Sequence, residues 1–311
     1  MSKTILITGS NGLLGQKLVY ALIDRNKNGG DWNVVASSKG ENRILEKNGY
    51  TYHALDITKR DEVFSAIKKY QPEVIINTAA MTNVDACETQ KEECFAMNVS
   101  AVQNFIDIIE IWQPESGQCH FIHLSTDFVF DGEDGPYRET DKTNPLSYYA
   151  WSKLEAEKLL EASTINWAIL RTIIVYGIVD NMSRSNIVLW AKDALEKGQK
   201  INIVDDQFRS PTLAEDLAEA CILCADKNAK GIFHVSGKDQ MSVLELVYRV
   251  ADFWKLDKSL VTPVKSESIK QPAKRPWRTG FIIDKAKTVL GYAPHSFEEG
   301  LAVLDKQLKE K

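Results

Sequence analysis

Thr4-Ile5-Leu6-Ile7-Thr8-Gly9-Ser10-Asn11-Gly12-Leu13-Leu14-Gly15 decides the fold. Thr4 to Thr8 is a short β-branched, apolar run of the kind that forms a buried strand. It enters a glycine turn, and a helical pattern through Leu18, Ala21 and Leu22 follows directly. Strand, glycine turn, helix is the context a dinucleotide fingerprint requires. Gly9 permits the tight turn, Gly12 lets the backbone approach a pyrophosphate, and Gly15 lets helix and strand pack closely. The helix N-terminus supplies donors and partial positive charge to phosphates. Asn11, Leu13 and Leu14 line the same turn.

Moving outward, Tyr148-Tyr149-Ala150-Trp151-Ser152-Lys153-Leu154-Glu155-Ala156-Glu157-Lys158-Leu159 places Tyr149 and Lys153 four positions apart, on one face of a helix. A free Tyr keeps its proton to a pKa of about 10. An ammonium beside it would lower that value and make the Tyr a working acid for a carbonyl. Upstream, Phe121-Ile122-His123-Leu124-Ser125-Thr126-Asp127 is a further buried-strand pattern that ends in hydroxyls and a carboxylate. Ligands sit outside the carboxyl ends of parallel strands, so Ser125 and Thr126 should share a crevice with Gly12.

Strands are expected at 3–8, 32–37, 50–54, 73–77, 119–125 and 166–172, with helices at 13–25, 59–69, 92–112 and 147–163. This alternation specifies an α/β, Rossmann-type, doubly wound parallel sheet with a smaller C-terminal substrate-binding lobe. Residues 1–177 form the expected dinucleotide domain and 178–311 mainly the lobe, with 212–235 returning to the sheet. Gln113–Gly117 reads as a polar connection on the far side.

The 311 residues carry a net charge of −5, which argues against a nucleic-acid surface and leaves an anionic substrate to local cations. No run reads as membrane-spanning, and Met1-Ser2-Lys3 leads straight into a strand, so a cytoplasmic protein without a signal peptide is expected. Five scattered Cys fit a reducing compartment. Cys221 and Cys224 form a C-x-x-C inside a helical run, with no second pair to complete a zinc site, so packing is favoured over a redox or metal role. All five His read as structural rather than catalytic.

The G-x-x-G-x-x-G spacing resembles the extended short-chain dehydrogenase/reductases. Within them the chain resembles the dTDP-4-dehydrorhamnose reductases along nearly its whole length. The carrying segments begin with Gly9–Gly15, Asn77-Thr78-Ala79-Ala80-Met81-Thr82-Asn83-Val84-Asp85 and Ser125-Thr126-Asp127-Phe128-Val129-Phe130-Asp131-Gly132. They continue with Asn144-Pro145-Leu146, Leu170-Arg171-Thr172, Val175-Tyr176-Gly177, Asp206-Gln207-Phe208-Arg209-Ser210-Pro211-Thr212 and Lys274-Arg275-Pro276. Related dehydratases carry T-D-E where Phe128 stands here, so the acid that eliminates water is missing. Some family members form a metal-bridged dimer through a Glu after the third glycine. Gln16 and Lys17 stand there, so no metal is expected, and a homodimer is left open.

The resemblance implies reduction of the 4-keto group of a nucleotide-linked deoxy sugar. Thr126 would orient the carbonyl oxygen, Tyr149 donate the proton, and Lys153 tune Tyr149 and bind the nicotinamide ribose. Asp127 either assists that network or caps its loop. Ala79 and Ala80 would bind the cofactor, and Thr82 and Asn83 would bind substrate near the nicotinamide pocket. Gln207 is a further substrate candidate. Arg209 and Arg275 are placed either on the substrate pyrophosphate, which suits a guanidinium fork, or in surface ion pairs. No carboxylate follows the second strand at Ser37-Ser38-Lys39, and Arg43 is near, so NADPH is expected, with NADH second. Asp56-Ile57 resembles the adenine-contacting turn. Two other functions share this frame. One is a cofactor-binding regulatory subunit like that of methionine adenosyltransferase; the other is a sugar-nucleotide epimerase.

Overall fold

The computed structural model describes residues 2–112, 117–182 and 185–310. Most of the expected 113–117 connection therefore lies outside the described residues. Six strands are β1 (Lys3–Thr8), β2 (Trp32–Ser38), β3 (Thr51–Ala54), β4 (Val74–Asn77), β5 (His120–Thr126) and β6 (Asn166–Thr172). With Gly231–His234 they form one parallel sheet in the order Gly231–His234, β6, β5, β4, β1, β2, β3. The order reverses between β1 and β4, which opens a crevice at their carboxyl ends.

Both faces of the sheet are covered. Ile5 and Ile7 pack with Leu18 and Leu22 on one side, and Leu6 packs with Val35, Phe105 and Phe121 on the other. All of Ile5, Leu6 and Ile7 are fully buried, which explains an unbroken apolar run in place of alternation. Each such side chain contributes roughly 1.5–3 kcal/mol relative to exposure. Helix Ala214–Asp226 packs beside α1 (Leu13–Lys27), and Arg25 bridges to Glu219 and Asp226. Cys221 and Cys224 are buried in that contact.

A separate core, including Ile203, Leu213, Val247 and Leu301, holds the C-terminal elements together. There Ile201–Val204 pairs in parallel with Val261–Val264, and Phe208–Arg209 pairs antiparallel with Met241–Ser242. The expected helix at 92–112 is Lys91–Phe95, a π turn at Ala96–Ser100, and Ala101–Ile111. By length and composition alone this stretch, Lys91–Ile111, is apolar enough to cross a membrane, a test that a buried core helix also passes. Half of its apolar window is buried, because Val102, Phe105 and Ile109 face the sheet core.

Candidate active site

The glycine turn shows three different uses of a missing side chain. Gly9 sits at φ 68°, where L residues are strained, and a Cβ there would lie 2.7 Å from Ala79 N. At Gly15 a Cβ would lie 2.3 Å from Gly9 O, so the helix could not approach. Gly12 is exposed, and a Cβ on it would meet nothing closer than Gly9 O at 3.2 Å. Gly12 is thus reached by solvent while a side chain on it would press against Gly9 O, and it caps α1 without any side-chain partner for the first-turn amides. That is an anion cradle, and it fits a dinucleotide diphosphate. Leu13 and Leu14 follow it half-buried. Asn11 ties the turn to the next loop, donating to Glu41 O at 2.7 Å and accepting from Arg43 N at 2.9 Å.

The second-strand loop departs from expectation in two places. Ser37 is fully buried and donates to Ile7 O at 3.2 Å, so its hydroxyl belongs to the sheet. Ser38 is half-buried beyond it. Lys39 and Asp56, assigned separately to phosphate and adenine, pair with each other at 2.9 Å. The Lys39 side chain is 74% exposed, so this link is weak. Ile57 is buried beneath it, and the Arg43 side chain is open to solvent.

Tyr149 and Lys153 project from helix Tyr148–Ala162, which starts where Ser147 Oγ accepts from Ala150 N at 3.3 Å. Tyr149 lies within reach of Thr126, whose hydroxyl favours the phenolate. Thr126 also caps the turn after β5, accepting from Phe128 N at 3.2 Å. Burial pushes Tyr149 above the ordinary phenol value, and this outweighs the Thr126 bond. The expected lowering of Tyr149 by Lys153 is therefore not seen. The reason is geometric: Lys153 is 3% exposed and directs Nζ to His123 Nε2 at 3.1 Å. Burial lowers Lys153 itself to about 8, against the pull of Glu157.

Asp127 is interior and joined to Thr126 Oγ1 at 3.1 Å and to the Thr279 hydroxyl, which donates to it. Burial raises its pKa in spite of Arg209 and these hydroxyls. Arg209 is itself 2% exposed. Its guanidinium donates to the carbonyls of Phe208, Trp277 and Pro276, and Nε lies 3.8 Å from Asp127. The pyrophosphate placement of Arg209 fails, because no donor is left facing solvent. Arg275 forks onto Asp85 at 2.7 and 3.1 Å, so it too is engaged, in the ion-pair alternative. Gln207 is buried beside Arg209. Asn83 is exposed and caps helix Val84–Thr89 by accepting from Ala86 N at 3.2 Å. Thr82 is exposed, and Ala79 and Ala80 are half-buried against the glycine turn.

Two residues escaped the sequence reading. Asn98, in the π turn, accepts from Met81 N at 2.8 Å and donates to Met81 O at 3.1 Å and Ser152 Oγ at 3.0 Å. It thereby fastens the 79–83 segment to the Tyr149 helix; π turns of this sort recur at functional sites. The other is His123, read as structural but bonded to Lys153. Its place in β5, three residues before Thr126, was the available signal.

Fold and site together define a protein of the short-chain dehydrogenase/reductase class. Within that class the chain belongs to the dTDP-4-dehydrorhamnose reductase family: the family model described as RmlD substrate binding domain matches residues 3–309. It is 31% identical to a dTDP-4-dehydrorhamnose reductase of Aggregatibacter actinomycetemcomitans, over 96% of each chain. It is also 31% identical to the methionine adenosyltransferase 2 subunit beta of Danio rerio, over 88% of this chain and 81% of that one. A solved dTDP-4-dehydrorhamnose reductase from Clostridium acetobutylicum superposes with a TM-score of 0.82 at 28% identity, covering 98% and 99% of the two chains.

Proposed function

We propose that the protein is an NAD(P)H-dependent oxidoreductase that reduces the 4-keto group of a nucleotide-linked deoxy sugar, with NADPH as the preferred cofactor. The observation that carries this reading is Tyr149 and Lys153 on one helix, with Thr126 in reach of Tyr149 at the end of β5 and the uncapped glycine turn at the end of β1. When bound, the dihydronicotinamide supplies the hydride. Thr126 orients the carbonyl oxygen, and Tyr149 delivers a proton to it. Lys153 meets the nicotinamide-ribose hydroxyls. Asp127 stands behind Thr126 as a buried support. The Gly12 and α1 amides hold the diphosphate, and Arg43 with Lys39 meets the ribose phosphate. Residues 1–177 with 212–235 serve the cofactor, and the rest of 178–311 serves the sugar nucleotide. Phe128, which packs edge-on to Tyr149 at 6.3 Å, supports reduction over elimination, since it offers no acid.

NADPH oxidation measured against a panel of keto-sugar nucleotides tests this directly. Turnover with at least one 4-keto-6-deoxy sugar nucleotide is expected. The likeness to the methionine adenosyltransferase subunit favours one other reading, a cofactor-binding partner subunit. Saturable NADPH binding without turnover on any member of the panel would select it.

A further inference from the structure

Four interior side chains form a file beneath the site. Thr8, Asn77 and His123 stand side by side in register near the carboxyl ends of β1, β4 and β5. Thr8 Oγ1 lies 2.6 Å from Asn77 Oδ1, Asn77 Nδ2 lies 3.1 Å from His123 Nδ1, and His123 Nε2 lies 3.1 Å from Lys153 Nζ. Exposure along the file is at most 3%, so these bonds are made in the protein interior.

The lengths give the file a direction. A contact of 2.6 Å is an O–H···O distance and is short for N–H···O. Asn77 therefore presents its oxygen to Thr8 and its NH₂ to the ring. An amide nitrogen only donates, so His123 Nδ1 must accept. Burial holds His123 well below its ordinary pKa, so the ring is neutral. Its one proton is then on Nε2, aimed at Lys153. An ammonium has no lone pair to receive it, and a free amine does. The other groups facing Lys153 do not compel a charge. Glu157 is committed to Arg171 through three contacts of 2.6 to 3.2 Å. Cys94 bonds Ser152 and Asn98. Tyr149 is held protonated, and Asp127 is engaged by Thr279 and Thr126.

We infer that Thr8, Asn77 and His123 are positioning residues that keep Lys153 a free amine at mildly alkaline pH until the nicotinamide cofactor binds, when Lys153 takes one proton from solvent. This rests on the reading that Lys153 meets the nicotinamide ribose. The ribose hydroxyls and the diphosphate charge both favour the ammonium. Its formation requires the ring proton on Nδ1 and the Asn77 oxygen turned toward it.

Calorimetric titration of the whole protein with NADPH, in buffers of different ionisation enthalpy, counts that proton. Lys153 in the free protein titrates at about 8. Uptake should be about 0.1 proton at pH 7 and approach about one at pH 9, and it should vanish in Lys153→Met. Asn77→Asp gives an acceptor to both neighbours, fixes the ring proton on Nδ1, and should abolish uptake at pH 9 while binding persists. Thr8→Val, which frees the amide to turn, should reduce uptake without a carboxylate and serves if Asn77→Asp does not fold. Saturable binding with no uptake at pH 9 in the parent overturns the inference. So does uptake unchanged in the folded file variants. Absence of saturable binding overturns instead the cofactor reading on which it rests.

Discussion

The glycine turn and the arginine pair Arg209 and Arg275, one on strand Phe208–Arg209 and one on the neighbouring loop, both suggest anion binding, yet they are built in opposite ways. At the turn the binding elements are backbone amides left without side-chain partners, at a Gly12 reached by solvent. At the pair the suggestive groups are guanidinium side chains, and both are already bonded inside the protein. Arg209 holds three carbonyls and lies against Asp127, and Arg275 holds Asp85. A fork of fixed donors serves an internal carbonyl or carboxylate as well as it serves a phosphate. Burial decides between these uses, and residue type does not.

The largest test of this contrast is at the chemistry itself. Tyr149→Phe keeps the ring packing and should leave NADPH affinity near the parent value while kcat falls about a hundred- to ten-thousandfold. Steady-state rates with a fluorescence titration of NADPH check both halves. A near-normal kcat would remove Tyr149 as the acid.

On the arginine side, Arg209→Ala strands Asp127 and three carbonyls in the interior. We expect a loss of roughly 3–5 kcal/mol in denaturant unfolding. Arg275→Ala, whose partner is partly exposed, should cost under about 1 kcal/mol. If Arg209→Ala instead unfolds like the parent and only raises KM for the sugar nucleotide, the arginine pair is a binding surface and the comparison breaks.

The glycines sharpen the other side. Gly15→Ala should destabilise by roughly 1–3 kcal/mol, because its Cβ would overlap backbone. Gly12→Ala should fold normally and bind NADPH about tenfold more weakly, about 1.4 kcal/mol. Thermal unfolding beside a binding titration separates them; equal stability losses would mean Gly12 is structural too.

The last expected effect concerns cofactor choice. Arg43→Ala should reduce the NADPH-to-NADH affinity ratio about tenfold, within the range of a lost charge-assisted bond. Lys39→Ala should reduce it less, because Lys39 already shares its charge with Asp56. Dissociation constants for both nucleotides in each variant decide this. A ratio that neither change moves would make the loop indifferent to the phosphate.

The parallel sheet was legible in the sequence because each strand is an apolar run bounded by turn residues, and two-sided burial demands that pattern. The positions of Gly9, Gly12, Gly15, Thr126, Tyr149 and Lys153 were equally legible, since local spacing carries them: a turn, a strand end, one helix face. Asn98 and His123 were not, because their partners Met81, Ser152, Asn77 and Lys153 are distant in the chain or on other elements. Nor could the sequence say that Ser37 points inward or that Arg209 is enclosed. What the sequence by itself determined is the order of elements, the family, and which residues end each strand. The tertiary structure alone decided which polar groups remain open and which are bonded within the protein. That is the physical division, because backbone conformation follows from neighbours in the chain, whereas hydrogen-bond partners and desolvation follow from neighbours in space.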